Sequence, residues 1–275
     1  MRKASKLSWD HFTRLIEVVP PAHGNPESHL SVLEETSALP IAGFTVATNP
    51  VAKARMSALA LASLIRQQTG KPAVLHITPR DHNRLALQGL LWGAKALHIE
   101  TVLLTTGDIP AAQSSVTIVG DVNLFDFIRL AREAELQVGV VFDPASAPDE
   151  TAPAVERLQK KISLGAEFVI TQPVYQPDTA RQWADLLHPL GAQVLLGVLP
   201  LRSAKHARFM HTRVDGIEIP PQLLTDLERS EDPAALGLEH ARRLIRLARD
   251  HFQGVCLMPP FQQYHLGFEL LANAD

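Results

Sequence analysis

Short apolar, β-branched runs recur along the chain, with longer amphipathic stretches between them. The runs fall at residues 15–19, 42–46, 73–77, 101–105, 138–142, 168–171, 194–198 and 255–257, each rich in Val, Ile, Leu, Phe or Thr and too short for a helix. Between them, residues 54–68, 84–97, 124–135, 155–164, 179–187 and 238–251 carry apolar residues at helical spacing. Strands that alternate with helices imply a parallel sheet, because a parallel neighbour is reached only through a crossover. Eight such units in 275 residues predict an α/β fold, a (β/α)8 TIM barrel forming one domain over residues 1–275. The interval from Val198 to Val255 is long for one crossover and predicts extra helical segments between strands seven and eight. A doubly wound open sheet is the competing fold, but no G-x-G-x-x-G follows a strand and no Walker sequence occurs. The most linker-like stretch, residues 143–153, becomes the loop after strand five in a barrel.

One position breaks the pattern. Glu17 lies inside Leu15-Ile16-Glu17-Val18-Val19, an apolar run closed by Pro20-Pro21. A carboxylate buried there without a partner costs several kcal/mol, so its pKa rises and it holds its proton. A protonated acid in a dry site is a proton donor. The alternative is an edge strand with Glu17 facing solvent.

Composition narrows the function classes. With 46% apolar and 20% charged residues the chain reads as an ordinary globular protein, and a net charge of −3 gives no basic footprint for nucleic acid. The single cysteine, Cys256, rules out an intrachain disulfide framework and reads as core filler within Val255-Cys256-Leu257-Met258. No apolar stretch is long enough to span a bilayer, and no apolar signal region follows the basic residues 1–6, so the expected location is cytoplasmic with no membrane partner. The twelve histidines form no H-E-x-x-H or compact ligand cluster, so no metal is expected.

In a TIM barrel the chemistry sits at the C-terminal ends of the strands. Reading those ends gives Glu17, Thr45, His76 with Thr78, Gly107-Asp108, Phe142-Asp143, Gln172 and Pro259-Pro260. Gly107 lets backbone approach a ligand closely, and Asp108 can bring a fixed negative charge. Gln172 can donate and accept, which suits the edge of a pterin or flavin ring. Lys160-Lys161 precede strand six on a helix, where a basic pair is commonly a solvated face.

Taken in order, these strings resemble the methylenetetrahydrofolate reductase family. The resemblance rests on Ile16-Glu17-Val18-Val19-Pro20-Pro21, residues 45–50, Leu75-His76-Ile77-Thr78, Thr106-Gly107-Asp108 with Pro110, Lys161-Ile162-Ser163-Leu164-Gly165-Ala166, Ile170-Thr171-Gln172-Pro173, Gly197-Val198-Leu199-Pro200 and Met258-Pro259-Pro260-Phe261. It is strongest to short bacterial members and to the reductase half of bifunctional homocysteine methyltransferase–reductase proteins. It implies a flavin-bearing barrel, with FAD or alternatively FMN, that reduces 5,10-methylenetetrahydrofolate to 5-methyltetrahydrofolate by hydride transfer. Such an enzyme serves one-carbon metabolism and methionine biosynthesis. NADH, NADPH or a partner electron-transfer protein would supply the electrons, and a homo-oligomer is the expected assembly.

The resemblance also implies roles. Glu17 matches the general acid that opens the imidazolidine ring, and Asp108 an aspartate near both flavin and folate. Gln172 matches a folate contact; Thr45, His76, Gly107 and Lys161 match flavin contacts, Lys161 near the phosphates. Thr106, Ala154, His206, Phe261 with Gln263, and Thr48 depart from residues found in other members. Two other functions fit a pterin site at a barrel mouth: a methyltransferase passing methyl from methyltetrahydrofolate to a corrinoid, and a flavin-poor folate-binding subunit that works with a redox partner.

Overall fold

The computed structural model describes residues 6–111, 113–144, 151–214 and 216–271. Eight parallel strands close into a barrel in sequence order: β1 Thr13–Val18, β2 Gly43–Val46, β3 Ala73–Ile77, β4 Thr101–Leu104, β5 Gln137–Phe142, β6 Phe168–Pro173, β7 Gln193–Val198 and β8 Gly254–Leu257. Closure is made by β8 pairing with β1, Leu15 opposite Cys256. A closed barrel has no edge strand, so the solvent-facing alternative for Glu17 falls away.

Helices α1 Glu27–Thr36, α2 Ala58–Thr69, α3 Arg84–Ala96, α4 Leu124–Glu133, α5 Thr151–Ser163 and α6 Pro177–Leu187 fill the first six crossovers. The expected extra segments between β7 and β8 are α7 Ala204–Arg213, α8 Pro221–Arg229 and α9 Pro233–His251, and α10 Leu266–Leu271 follows the last strand. Of the stretch at 143–153, residues 145–150 lie outside the described residues, and Thr151 already opens α5.

Side chains alternate across the strand wall, which sorts them into two cores. Ile16, Val18, Phe44, Val46, Leu75, Ile77, Val102 and Leu104 face the helices in one large apolar layer. Leu15, Val74, Leu103, Phe168, Ile170, Leu195 and Cys256 fill the barrel itself. Gly139 belongs to that filling. A Cβ there would stand within 2.6 Å of three carbons of the Phe168 ring, so only glycine lets the ring occupy the axis. The N-terminal segment plugs the bottom. Gln137 is buried and bonded to Leu7 through both its amide atoms, while Trp9 packs on Phe168 at 5.4 Å. With the lower end filled, the top is the open face.

Candidate active site

The alternation that builds the barrel core also aims its polar residues. Leu15 faces the axis, so Glu17 does too, one layer higher. Thr45 pairs with Glu17 in register, and His76 lies two residues beyond Val74, the register partner of Thr45. The three therefore form an arc across β1, β2 and β3 near the strand ends. The Cys256 thiol completes it, close enough to Glu17 to feel its charge and beside the Thr45 hydroxyl.

This arc is dry. Glu17 has no hydrogen-bond or ion-pair partner among the described residues, and desolvation pushes its carboxyl up to about 7. Burial pushes His76 down to about 4, so its ring is neutral at physiological pH. The Nε2 of His76 and the Oγ1 of Thr45 are both buried without a nitrogen or oxygen partner. Tyr264 closes the arc from the segment after β8; its hydroxyl bonds the Val19 carbonyl at 3.3 Å, and burial first, then the Glu17 charge, raises its pKa. Unmet polar atoms in a native interior mark either strain or an absent partner.

The opposite flank, at the ends of β3 and β4, is fully wired. Arg80, buried just past β3, donates Nε to Asp81 Oδ1 at 2.5 Å and a terminal nitrogen to Asp81 Oδ2 at 2.6 Å. Its other terminal nitrogen donates to the Asp108 main-chain carbonyl at 2.6 Å. The Asp108 carboxylate accepts the Val51 N–H at 2.5 Å. Thr78 joins the two ends, donating to the Thr106 carbonyl at 2.7 Å and accepting the Arg80 N–H at 3.2 Å. Gly107 between them has φ +82°, and a Cβ there would sit 2.5 Å from Thr78 Oγ1. Here glycine is dictated both by conformation and by space.

The same network holds a strained loop after β2. Asn49, Val51 and Ala52 have φ of 40°, 50° and 54°, a region β-branched residues seldom enter. Asn49 is tied to Asp81 at 3.3 Å and accepts the Arg55 N–H at 3.0 Å. A second strained pair, Phe261 at 55° and Gln262 at 61°, follows β8. Exposed Phe261 covers His206 with ring centroids 4.9 Å apart. Strain of this kind clusters at functional mouths.

The expected site residues thus separate. Glu17, Thr45 and His76 share the dry arc, Gly107 and Asp108 stand on the wired flank, and Gln172 is half-buried at a register slip in β6 between Ile170 and Pro173. There the Thr171 hydroxyl donates to the Gln172 carbonyl and accepts the Gly197 N–H, both at 2.9 Å. Lys161 lies on α5, not in the barrel. Its ammonium is drawn to the Val141 carbonyl at 3.0 Å and the Asp143 charge, while burial lowers its pKa. Reasoning from sequence missed Arg80 and Asp81, and gave Asn49 no role of its own. The signal of the pair was present, since Pro79-Arg80-Asp81-His82-Asn83 directly follows a strand end.

Comparison with known proteins identifies the family. The sequence model of the family described as methylenetetrahydrofolate reductase matches residues 4–255. Methylenetetrahydrofolate reductase 2 of Schizosaccharomyces pombe is 27% identical over 219 residues, covering 70% of this chain and 34% of the relative. A probable methylenetetrahydrofolate reductase (NADPH) of Caenorhabditis elegans is 26% identical over 206 residues, covering 70% of this chain and 30% of the relative. The chain thus spans about a third of the length of these relatives. Among solved structures, an uncharacterised Clostridium thermocellum protein that binds two copies of 5-methyl-5,6,7,8-tetrahydrofolic acid superposes with a TM-score of 0.69, at 15% identity, covering 95% of this chain and 94% of the other. A 2,3-dimethylmalate lyase superposes with a TM-score of 0.54 at 14% identity, covering 96% and 81%. At such identities these two likenesses speak for the fold. The family match over residues 4–255 speaks for more: this chain belongs to the methylenetetrahydrofolate reductase family.

Proposed function

We propose that this chain reduces 5,10-methylenetetrahydrofolate to 5-methyltetrahydrofolate, with Glu17 as the general acid. The observation that carries the reading is Glu17 itself, inward-facing, unpaired among the described residues and half-protonated near neutral pH. Brønsted behaviour favours an acid whose pKa lies near the operating pH. Glu17 gives its proton to N10 as the bond from the bridging carbon to N10 breaks, leaving a cationic iminium at N5. The Asp108 carboxylate stands on the far flank as a fixed negative charge that stabilises this cation. Gln172 offers both donor and acceptor to the pterin edge. Folate as the ligand class is also supported by the solved protein of the same fold that binds methyltetrahydrofolate.

A flavin fits the residues present: the unpartnered Thr45 Oγ1 and His76 Nε2 would hold the polar edge of its ring. When bound and reduced, it supplies the hydride that converts the iminium to a methyl group. Lys161, tied to Val141 and Asp143, reaches phosphates only if it leaves those partners.

The test is an anaerobic titration of the purified protein loaded with FAD or FMN. A reduced nicotinamide nucleotide should bleach the flavin, and 5,10-methylenetetrahydrofolate should then restore its colour while 5-methyltetrahydrofolate accumulates. Failure to take up either flavin, or methyl transfer to cob(I)alamin with no redox step, would overturn the reading.

A further inference from the structure

Arg80 carries a full positive charge about one side chain from Asp108, which raises a question of electrostatics. A cation so close would be expected to neutralise a catalytic carboxylate. The geometry limits it: Arg80 feels the Asp108 charge, but less than that of Asp81. Both lower nitrogens of the Arg80 fork, Nε and one terminal nitrogen, are spent on the two oxygens of Asp81. What remains is one terminal nitrogen, and it bonds the main-chain carbonyl of Asp108 rather than its carboxylate. The carboxylate is left to a neutral donor, the Val51 N–H.

We propose that Arg80 and Asp81 act as a charge-neutral clamp, positioning residues that fix where Asp108 stands while leaving its negative charge available to a cationic reaction intermediate. A bidentate Arg–carboxylate pair has a planar fork and a defined direction, so it holds the Asp108 peptide more rigidly than a lysine could. Because the pair is net neutral, it orients Asp108 without screening it by a formal charge. Asp81 is in turn held by the Asn49 amide at 3.3 Å, and Asn49 belongs to the strained loop that carries Val51. The clamp, the loop and the carboxylate therefore form one closed circuit: Arg80 to Asp108 carbonyl, Asp108 carboxylate to Val51, Asn49 to Asp81, and Asp81 back to Arg80. Gly107 and Thr78 brace it from beneath. The circuit has a cost: an unpaired partner would be a buried charge, so neither Arg80 nor Asp81 can be lost alone without penalty.

This inference rests on the assigned role of Asp108, and the experiment separates the two. The variants are Asp108→Asn, Asp81→Asn and the double variant Arg80→Gln with Asp81→Asn, each loaded with flavin and reduced chemically. The readouts are the single-turnover rate of methylenetetrahydrofolate reduction and, in flavin-free protein, the affinity for 5-methyltetrahydrofolate by calorimetry. D108N should slow the chemical step by about a hundredfold, the usual scale for one lost electrostatic stabiliser. D81N frees Arg80 to pair with the Asp108 carboxylate and should slow it about tenfold, with product affinity changed less than about threefold, since the charge acts on the cation formed in transit. The double variant removes the clamp as a neutral unit and should run at least about tenfold faster than D108N. If D108N retains the parent rate, the role of Asp108 is wrong. If D108N is slow but D81N and the double variant both keep the parent rate, or D81N loses rate and affinity together, Asp108 has its role and the clamp does not.

Discussion

Glu17, on the first strand, has no polar partner among the described residues, whereas Asp108, past the fourth, is bonded through both its carboxylate and its carbonyl. Two carboxylates on one barrel rim have therefore been given opposite surroundings. Apolar neighbours such as the Cys256 thiol keep the first protonated near neutrality. The second is held in place through the Val51 N–H on its carboxylate and the Arg80 guanidinium on its carbonyl. Under the proposed function, the contrast would divide the labour of ring opening, in which one group gives a proton and another tolerates the cation that results. Neither role could be exchanged by swapping the residues, because the environment and not the side chain sets it.

The sharpest way to break the contrast is Glu17→Gln. An amide of the same shape cannot donate an acidic proton, so folate reduction should fall by about 10² to 10⁴. Reduction of bound flavin by a nicotinamide nucleotide should persist. Stopped-flow measurement of the two half-reactions checks this, and equal survival of both would remove Glu17 from the chemistry.

The same substitution should stabilise the fold at alkaline pH. Glu17 is raised in the folded state from 4.5 to about 7, so the unfolded chain releases its proton first as pH climbs. Wild-type stability should fall from about pH 4.5 to about pH 7 and level off above, a loss of about 3 kcal/mol. The Glu17→Gln protein carries no such titration, so it should match the wild type near pH 4 and exceed it at pH 8. Urea unfolding at the two pH values reads the difference. Identical pH dependence in both proteins would mean that the arc is wet. Loss of activity with gain in stability is the signature of a strained functional group.

On the wired flank the expected costs run the other way. Gly107→Ala forces a side chain into φ +82° and within 2.5 Å of Thr78 Oγ1, and should destabilise by about 2–3 kcal/mol. Thr78→Val keeps the shape but leaves the Thr106 carbonyl and the Arg80 N–H without their partner, a cost of about 2 kcal/mol. Thermal melts of the flavin-free protein measure both.

The fold was legible because its signal is repeated. Eight β-branched runs spaced by helical stretches leave little choice of topology, and the long interval after Val198 correctly called for more helix, found as α7, α8 and α9. Strand ends also named Glu17, Thr45 and His76, since barrel chemistry gathers there, while their shared inward direction came from the structure. The wired flank was only half visible. Gly107-Asp108 showed itself at a strand end, but Arg80 and Asp81 sit one short turn beyond Thr78, and their pairing depends on side-chain direction that no periodicity encodes. Helix α1 escaped because its residues, Glu27–Thr36, alternate too many polar positions to give a clear apolar face. The strain at Val51 and Phe261 was invisible for a related reason: a left-handed valine contradicts its own propensity and is held only by tertiary bonds such as Val51 to Asp108.

The smallest expected effect is also the finest probe. Thr45 and Thr78 are both fully buried threonines at the tops of neighbouring strands. Thr78 Oγ1 serves two partners, while Thr45 Oγ1 has none of nitrogen or oxygen. Replacing a buried hydroxyl whose only neighbour of this kind is the weakly bonding Cys256 thiol by a methyl removes a desolvation cost rather than a strong bond. Thr45→Val should therefore leave the flavin-free protein unchanged or more stable by up to about 1 kcal/mol, against the loss expected for Thr78→Val. Flavin affinity should move in the opposite sense, weakening by about tenfold if the hydroxyl waits for the cofactor, the scale of one hydrogen bond. A stability loss in Thr45→Val equal to that in Thr78→Val would show that the hydroxyl is already satisfied within the fold, and the distinction between a waiting arc and a wired flank would end there.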